Sequence, residues 1–357
     1  MSPSSDCPKH AHTLASILSE SLTSIELLPG DVEDWSSAGL THDQPFLLQE
    51  GNLGIPVRLL YRVYVLAATQ FSPALKAYRT DSSSASAKAV ASLSSIVILA
   101  NPAHQTALNA RKTLVLDSHL DARAELELTA HFLTASKDGA KQSTLWDHRR
   151  WLLQRIYPSS TVQPLARKRP RGWASDVSRC PSLPRTVIEQ ELALALRSCE
   201  LYSRNYHGWV HRHAIFESIL HTLEDADASE YRRTEMLDLV EQETHTIMSW
   251  IDRHVSDYTA MQHLCSVVLA FSPDHRRYGT QRSDKVDGRY ALMDPPMLAE
   301  HAMDLLRSYP QHEALSCYLQ LTLKMFELPG ELRARAENVL QTVRIMVSFI
   351  RAVLIDD

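Results

Sequence analysis

Three groups of residues in this chain have types and spacings that could do chemistry. The first is the phrase Lys141-Gln142-Ser143-Thr144-Leu145-Trp146-Asp147-His148-Arg149-Arg150-Trp151, which sets a lysine five residues ahead of a Trp-x-His-Arg core. A lysine is a compact, hydrated point cation that can donate to an anion. By position alone, Lys141 reads as an exposed residue at a helix start. The second group is His207, His211 and His213. His207 and His211 are four apart, so on a helix they share a face and in principle a metal ion. No Glu or Cys completes a set and no His-Glu-x-x-His occurs, so no metal site is expected here. The third is the basic run Arg167-Lys168-Arg169-Pro170-Arg171. It suits either a nuclear-import or anion-binding patch or a solvated insertion between helices, and the insertion is the expectation.

The Trp-centred phrase recurs, which means internal repeats. Its core returns at Trp209-Val210-His211-Arg212, and a weaker copy comes earlier at Leu108-Asn109-Ala110-Arg111-Lys112. Two later equivalents are centred on Met261 and Ser316. The intervals between successive centres are 38, 63, 52 and 55 residues. A bare helix–turn–helix repeat takes about 34 residues, so loop insertions account for the excess. The large central residue is expected to fill the space between one hairpin and the next. The His two positions on and the Arg three positions on are expected to reach carbonyls or carboxylates of the neighbouring hairpin, because a buried guanidinium must be paired. Trp146, His148, Arg149, Trp209, His211 and Arg212, with Asn109 and Arg111, therefore read as structural residues of the repeat.

The rest of the chain must position these phrases. Apolar spacing predicts a first helix over 12–22, with Leu14, Ile17 and Leu18 on one face. Residues 24–56 are rich in turn signals and read as extended or looped, with room for a short hairpin. Pro56 suits the first turn of a helix reaching Tyr78, and the serine-rich stretch 80–86 reads as a surface loop. Helices are then expected over 89–100, 104–116, 121–135, 142–157, 185–202, 206–220, 230–253, 256–271, 296–309, 312–327 and 330–355. Pro-rich insertions interrupt them at 158–184 and 272–296. The expected organisation is an N-terminal portion 1–86, a helical-hairpin array 87–327 and a C-terminal capping helix 328–357. The fold class is all-α: a right-handed α-α superhelix of hairpin repeats behind a short irregular or extended N-terminal segment.

Composition agrees with this reading. Only ten glycines occur in 357 residues, and glycine disfavours helix interiors. Hydrophobic content of 44% and charged content of 22% are those of an ordinary globular protein. A net charge of −5 gives no general reason to expect nucleic acid or an anionic membrane as a partner. The five cysteines are scattered without a Cys-x-x-Cys, which suits thiols in a reducing, cytoplasmic compartment. Met1–His10 is polar, so no signal peptide is expected there. No apolar run approaches the roughly 18 residues of a membrane span, and Leu354-Ile355-Asp356-Asp357 contains no cysteine to prenylate.

The phrases at Asn101-Pro102, Asn109–Lys112, Lys141–Trp151 and Asn205–Arg212 resemble the repeats of protein prenyltransferase α subunits. Ile25–Pro29, Gln49–Gly54, His254–Asp257 and Ser308–Glu313 are similar to a divergent α-type branch of that family, so the resemblance covers about residues 24–323. It implies a crescent of helical hairpins that wraps a β subunit, here of the Rab geranylgeranyltransferase β type. The implied activity is transfer of a geranylgeranyl group from its diphosphate to a protein C-terminal cysteine. It also implies that Lys141 is the catalytic lysine that meets the departing diphosphate, that His207, Tyr206 and Arg204 line the same region, and that the thiol-activating zinc belongs to the β subunit. The sequence departs from the family at Ser143, where a Tyr is usual, at Leu108 in place of Trp, and at Leu264 and Leu319 in the Arg positions. These changes suggest a packing role for the C-terminal half. A non-enzymatic helical-repeat scaffold is the alternative, since such arrays bind peptides on a concave face.

Overall fold

The computed structural model describes residues 6–158, 180–225, 227–271 and 294–355. Helix α1 (Cys7–Ile17) has Pro8 in its first turn, where a missing N–H costs nothing. That start lies ahead of the expected one at residue 12. The helix also ends early, because the amides of Leu18, Ser19 and Glu20 turn back onto Leu14, Ser16 and Ile17.

Strands β1 (Ser24–Leu28), β2 (Leu47–Gln49) and β3 (Asn52–Pro56) form a small sheet in the order β1-β3-β2. β2 and β3 are the antiparallel hairpin that the turn signals suggested, and β1 adds to β3 in parallel. Glu50 and Gly51 both have positive φ (51° and 79°), which matches the right-handed twist of a two-residue hairpin turn. A 3-10 helix (Val32–Ala38), not anticipated from the sequence, is capped by Asp31. The same carboxylate takes a two-pronged bond from Arg62, at 2.5 and 2.8 Å, and so ties the segment to the next helix.

That helix, α2 (Val57–Asp81), runs through Pro73 and past the expected end at Tyr78. Helix α3 (Ser84–Ala100) begins three residues later. The serine-rich stretch is therefore mostly helical, and only Ser82 and Ser83 link the two. Ser83 Oγ accepts the Ser86 amide at 3.2 Å, so the serines act as a helix cap rather than a loop.

The chain continues through α4 (Gln105–Leu116), α5 (Ala122–Ala135), α6 (Lys137–Ala140), α7 (Ser143–Ile156), α8 (Arg185–Leu201) and α9 (Tyr206–Glu224). It ends with α10 (Glu230–Arg253), α11 (Tyr258–Phe271), α12 (Pro295–Ser308), α13 (Glu313–Met325) and α14 (Gly330–Ile355). The short α6 was not expected: four residues with a glycine carry no periodicity. Most of the two expected insertions, including the basic run 167–171, lies outside the described residues.

The chain is an all-α helical-repeat fold with two compact units. One comprises Met1–Ser182 with Gln190–Ala214, the other Leu183–Glu189 with Ile215–Asp357. In the first, α3 packs on α4 and α5 on α7, while α3 touches α5 and α4 touches α7. Hairpins are thus stacked with first helices in one layer and second helices in another. α1 lies against α2 and α3, and β1 against α5. In the second unit, α10 pairs with α11 and α12 with α13, and α14 packs on α12 and α13.

Candidate functional site

The recurring phrase begins at a helix N-cap four residues before its centre. The five cap positions are His104, Gln142, Asn205, Asp257 and His312. Three of them cap with their side chains: His104 Nδ1 accepts from the Ala107 amide, Asn205 Oδ1 from Gly208 and Asp257 Oδ1 from Ala260, at 3.1 to 3.3 Å. The centres Leu108, Trp146, Trp209 and Met261 are buried. Ser316 is only partly covered, and Leu315, Tyr318 and Leu319 fill the interior around it.

The polar residues of the phrase converge on buried glutamates. Arg111 grips Glu125 through Nε and Nη2, at 2.8 and 2.5 Å, while its Nη1 donates to the Ala91 carbonyl and Ser94 Oγ. From the following hairpin, His148 Nε2 meets the same carboxylate at 2.9 Å. The pattern then repeats. Arg149 grips Glu191 at 2.6 and 2.7 Å and donates to Leu126 O and Thr129 Oγ1, and His211 Nε2 meets Glu191 at 2.9 Å. Arg212 donates to Leu192 O, and His263 meets Glu243 at 3.1 Å. One guanidinium thus bonds the first helices of two successive hairpins, which fixes their register.

The charge states follow from burial and pairing. Burial alone would raise the Glu125 carboxyl, but the Arg111 guanidinium and the His148 bond overcome it and hold it well below the usual carboxylate range. Glu191, opposed in the same way by burial, is held at about 2 by Arg149 and His211. Burial pushes His211 down to about 4 against the pull of Glu191, and His148 is also lowered by burial. At neutral pH both imidazoles are therefore uncharged and donate from Nε2. The Nδ1 atoms of His148 and His211, buried without a partner, then carry the lone pair. These groups are committed to packing. Glu125, Glu191 and Glu243 were not singled out from the sequence. Their signal was a Glu 20 or 23 residues before each repeat His. Asn109 stands apart from the other repeat residues: it is exposed, and its side chain accepts only from Gln105.

Lys141 lies outside these clamps, directly after α6. α6 is pressed so closely on α5 that a Cβ on Gly139 would lie 2.1 Å from the Phe132 carbonyl oxygen. Ser136 Oγ caps α6 by accepting from Gly139 N. The last carbonyl of α6, that of Ala140, accepts from Trp146 Nε1 at 2.9 Å and from Asn205 Nδ2 at 2.8 Å. Lys141 follows directly, and its Nζ lies 2.6 Å from Asp138 Oδ1, which raises the lysine pKa.

Asn205 is buried and also caps the start of α9, so Tyr206 and His207 are tied to the carbonyl beside Lys141 although 65 residues separate Asn205 from Ala140. Arg204 makes the turn in the left-handed region at φ 57° and is exposed, as is Tyr206. His207 is half-buried, and burial followed by the Arg150 charge lowers its pKa. The Asn205–Ala140 bond thus sets the start of α9, with Arg204, Tyr206 and His207, beside the chain segment that carries Lys141, while the charges nearest His207 are Arg150 and Asp147 and those nearest Lys141 are Asp138 and Tyr202. A cavity of about 1170 Å³ between α1, α3 and α5 is lined by none of Lys141, Arg204, Tyr206 and His207.

His211 Nε2 is engaged with Glu191, so that nitrogen is committed to the buried clamp. Among the described residues, no group of three or more His, Cys, Asp and Glu could hold a metal ion, no disulfide is formed, and no helix is long and apolar enough to cross a membrane.

Residues 188–219, from Ile188 on α8 to Ile219 on α9, match the protein prenyltransferase alpha subunit repeat. The match takes in Glu191, Asn205, Tyr206, His207, Trp209, His211 and Arg212, so it covers the carboxylate of the second clamp and the start of α9. The chain is similar to protein prenyltransferase alpha subunit repeat-containing protein 1-A of Xenopus laevis, with 25% identity over 246 residues, 62% of this chain and 51% of the relative. Protein 1 of the same description from Danio rerio is 26% identical over 249 residues, 65% of this chain and 53% of the relative. The Homo sapiens counterpart is 24% identical over 244 residues, 62% and 55%. The chain spans about half the length of the curated relatives it matches.

Proposed function

We propose that this chain is the α-type subunit of a heterodimeric protein prenyltransferase that moves a geranylgeranyl group from its diphosphate to a protein cysteine. The observation that carries this reading is the setting of Lys141. Asn205, in the segment that matches a prenyltransferase-type repeat, pins the carbonyl beside a partly exposed lysine, and Tyr206 and His207 follow Asn205 directly in the chain. In the reaction the cysteine sulfur forms a bond to the allylic carbon as the carbon–oxygen bond breaks, and the electron pair leaves with the diphosphate. Negative charge grows on the leaving oxygens. Donors already aimed at them lower the barrier without reorganising. Lys141 would supply the charged donor, and Tyr206 and His207 uncharged ones. Low pKa suits His207 to this role, since it stays neutral and does not repel Lys141.

The prenyl diphosphate, the cysteine-bearing protein and a β subunit of the Rab geranylgeranyltransferase type are the partners this reading requires. Zinc is assigned to that β subunit, where it would hold the substrate cysteine as a thiolate. No step therefore runs through a metal on this chain. The five cysteines without disulfides suit a reducing compartment, and we place the chain in the cytoplasm.

The test is co-purification with candidate prenyltransferase β subunits, followed by a transfer assay on the pair and on each part alone. Activity in the pair only supports the reading. If no β subunit binds, the chain is a helical-repeat scaffold instead.

A further inference from the structure

Lys141 does not meet solvent alone. Asp138, one turn back, holds its Nζ at 2.6 Å. Exposed pairs of this spacing are common and weak, since two mobile side chains must be ordered to make them. Here the backbone beneath the pair is already ordered. Ser136 caps α6, Gly139 is seated on the Phe132 carbonyl, and the Ala140 carbonyl is held from two repeats. The Asp138 side chain is 72% exposed against 44% for Lys141, so the carboxylate is the more open of the two partners and occupies one of the ammonium's three donor positions, which an oxygen of an incoming anion would have to share or take.

We propose that Asp138 is the built-in counter-ion of Lys141 and a specificity determinant of that site, admitting diphosphates and turning away single phosphates, which carry less charge and fewer oxygens. This rests on the transferase reading above. A carboxylate-bound ammonium offers a single phosphate little beyond the exchange of one oxygen for another. A diphosphate brings more charge and several oxygens, so it can take Nζ from Asp138 and still have oxygens left for other donors. Asp138, open to water, is released at little desolvation cost.

The experiment is acylation of the full chain with N-hydroxysuccinimidyl acetate, with modification of Lys141 followed by mass spectrometry. Wild type, Asp138→Asn and the charge-retaining Asp138→Glu are compared, with inorganic diphosphate or inorganic phosphate as protecting ligand. Thermal melts confirm that the variants are folded. Lys141 is expected to react faster in Asp138→Asn. The half-protecting diphosphate concentration should fall about threefold or more, a range set by what an exposed ion pair is worth. Inorganic phosphate should begin to protect in that variant only, with Asp138→Glu close to wild type. Unchanged Lys141 labelling together with equal diphosphate protection in wild type and Asp138→Asn overturns the counter-ion role while leaving the diphosphate-binding lysine in place. No diphosphate protection in either protein overturns both, because Lys141 then meets no diphosphate.

Discussion

Trp146 and Asn205 donate to one acceptor, the Ala140 carbonyl oxygen, at 2.9 and 2.8 Å. The first donor belongs to the repeat phrase that directly follows Ala140 and the second to the next one. The carbonyl belongs to the residue before Lys141, so repeat packing and the placement of the candidate catalytic cation share a single point. Asn205→Ala removes the second bond and the cap on α9 together. It should cost about 1–3 kcal/mol, the range for a buried hydrogen bond and a lost cap. It should also reduce prenyl transfer in an assembled complex by more than the fraction of protein that unfolds. Denaturant melts beside the transfer assay separate the two effects.

The buried clamp should behave as a unit. Glu191→Ala leaves the Arg149 guanidinium buried without its carboxylate, which should destabilise by about 3–5 kcal/mol. Removing Arg149 and Glu191 together should cost less than the sum of the single losses, because neither partner is then stranded. A double-mutant cycle in urea measures this coupling. Additive effects would show that the two side chains do not depend on each other.

Acid should weaken the fold in two steps. His211 is depressed to about 4 in the folded chain, below its ordinary value of about 6.5. The unfolded chain therefore binds the extra proton first. The stability tied to this group is fully present above about pH 6.5 and lost as pH falls toward 4, to an extent on the order of 3 kcal/mol. Glu191, held at about 2, adds a second loss that sets in below its ordinary range and runs down to about pH 2. Urea midpoints measured from pH 7.5 to 4 test the first step. His211→Gln, which keeps a donor but no titration, should flatten that slope.

Trp146 is fully buried, and Trp146→Ala should destabilise by about 3–5 kcal/mol through lost burial and a cavity. A loss under about 1 kcal/mol would show that the pocket closes around the smaller side chain.

Trp146 also shows what was legible in the sequence. The spacing of Trp, His and Arg identified the buried centres and the need for a polar partner, because large aromatics and guanidinium groups leave few alternatives. Glu125, Glu191 and Glu243 were not legible as those partners: a lone glutamate on a helix looks like a surface residue until its neighbours are known. α6 was missed because a tight contact at Gly139, rather than any apolar pattern, forms it. The stretch 80–86 was misjudged because serine caps helices as readily as it makes loops. At the candidate site, Lys141 was found through the resemblance, while Asp138 and the Ala140 carbonyl depend on contacts that spacing does not encode.

Lys141 itself gives the most direct prediction. Its side chain is 44% exposed and, among the described residues, its ion pair is with the more exposed Asp138 on the same helical turn, so it ties no two helices together. Lys141→Ala should therefore leave the melting curve and association with a β subunit unchanged. It should lower the rate of transfer in the assembled pair by about 10²–10³-fold if the ammonium stabilises the leaving diphosphate as an oxyanion donor does. Lys141→Arg keeps the charge but changes the donor shape from a point to a planar fork, so it should recover only part of the rate. An unchanged rate in Lys141→Ala would remove this lysine from the reaction.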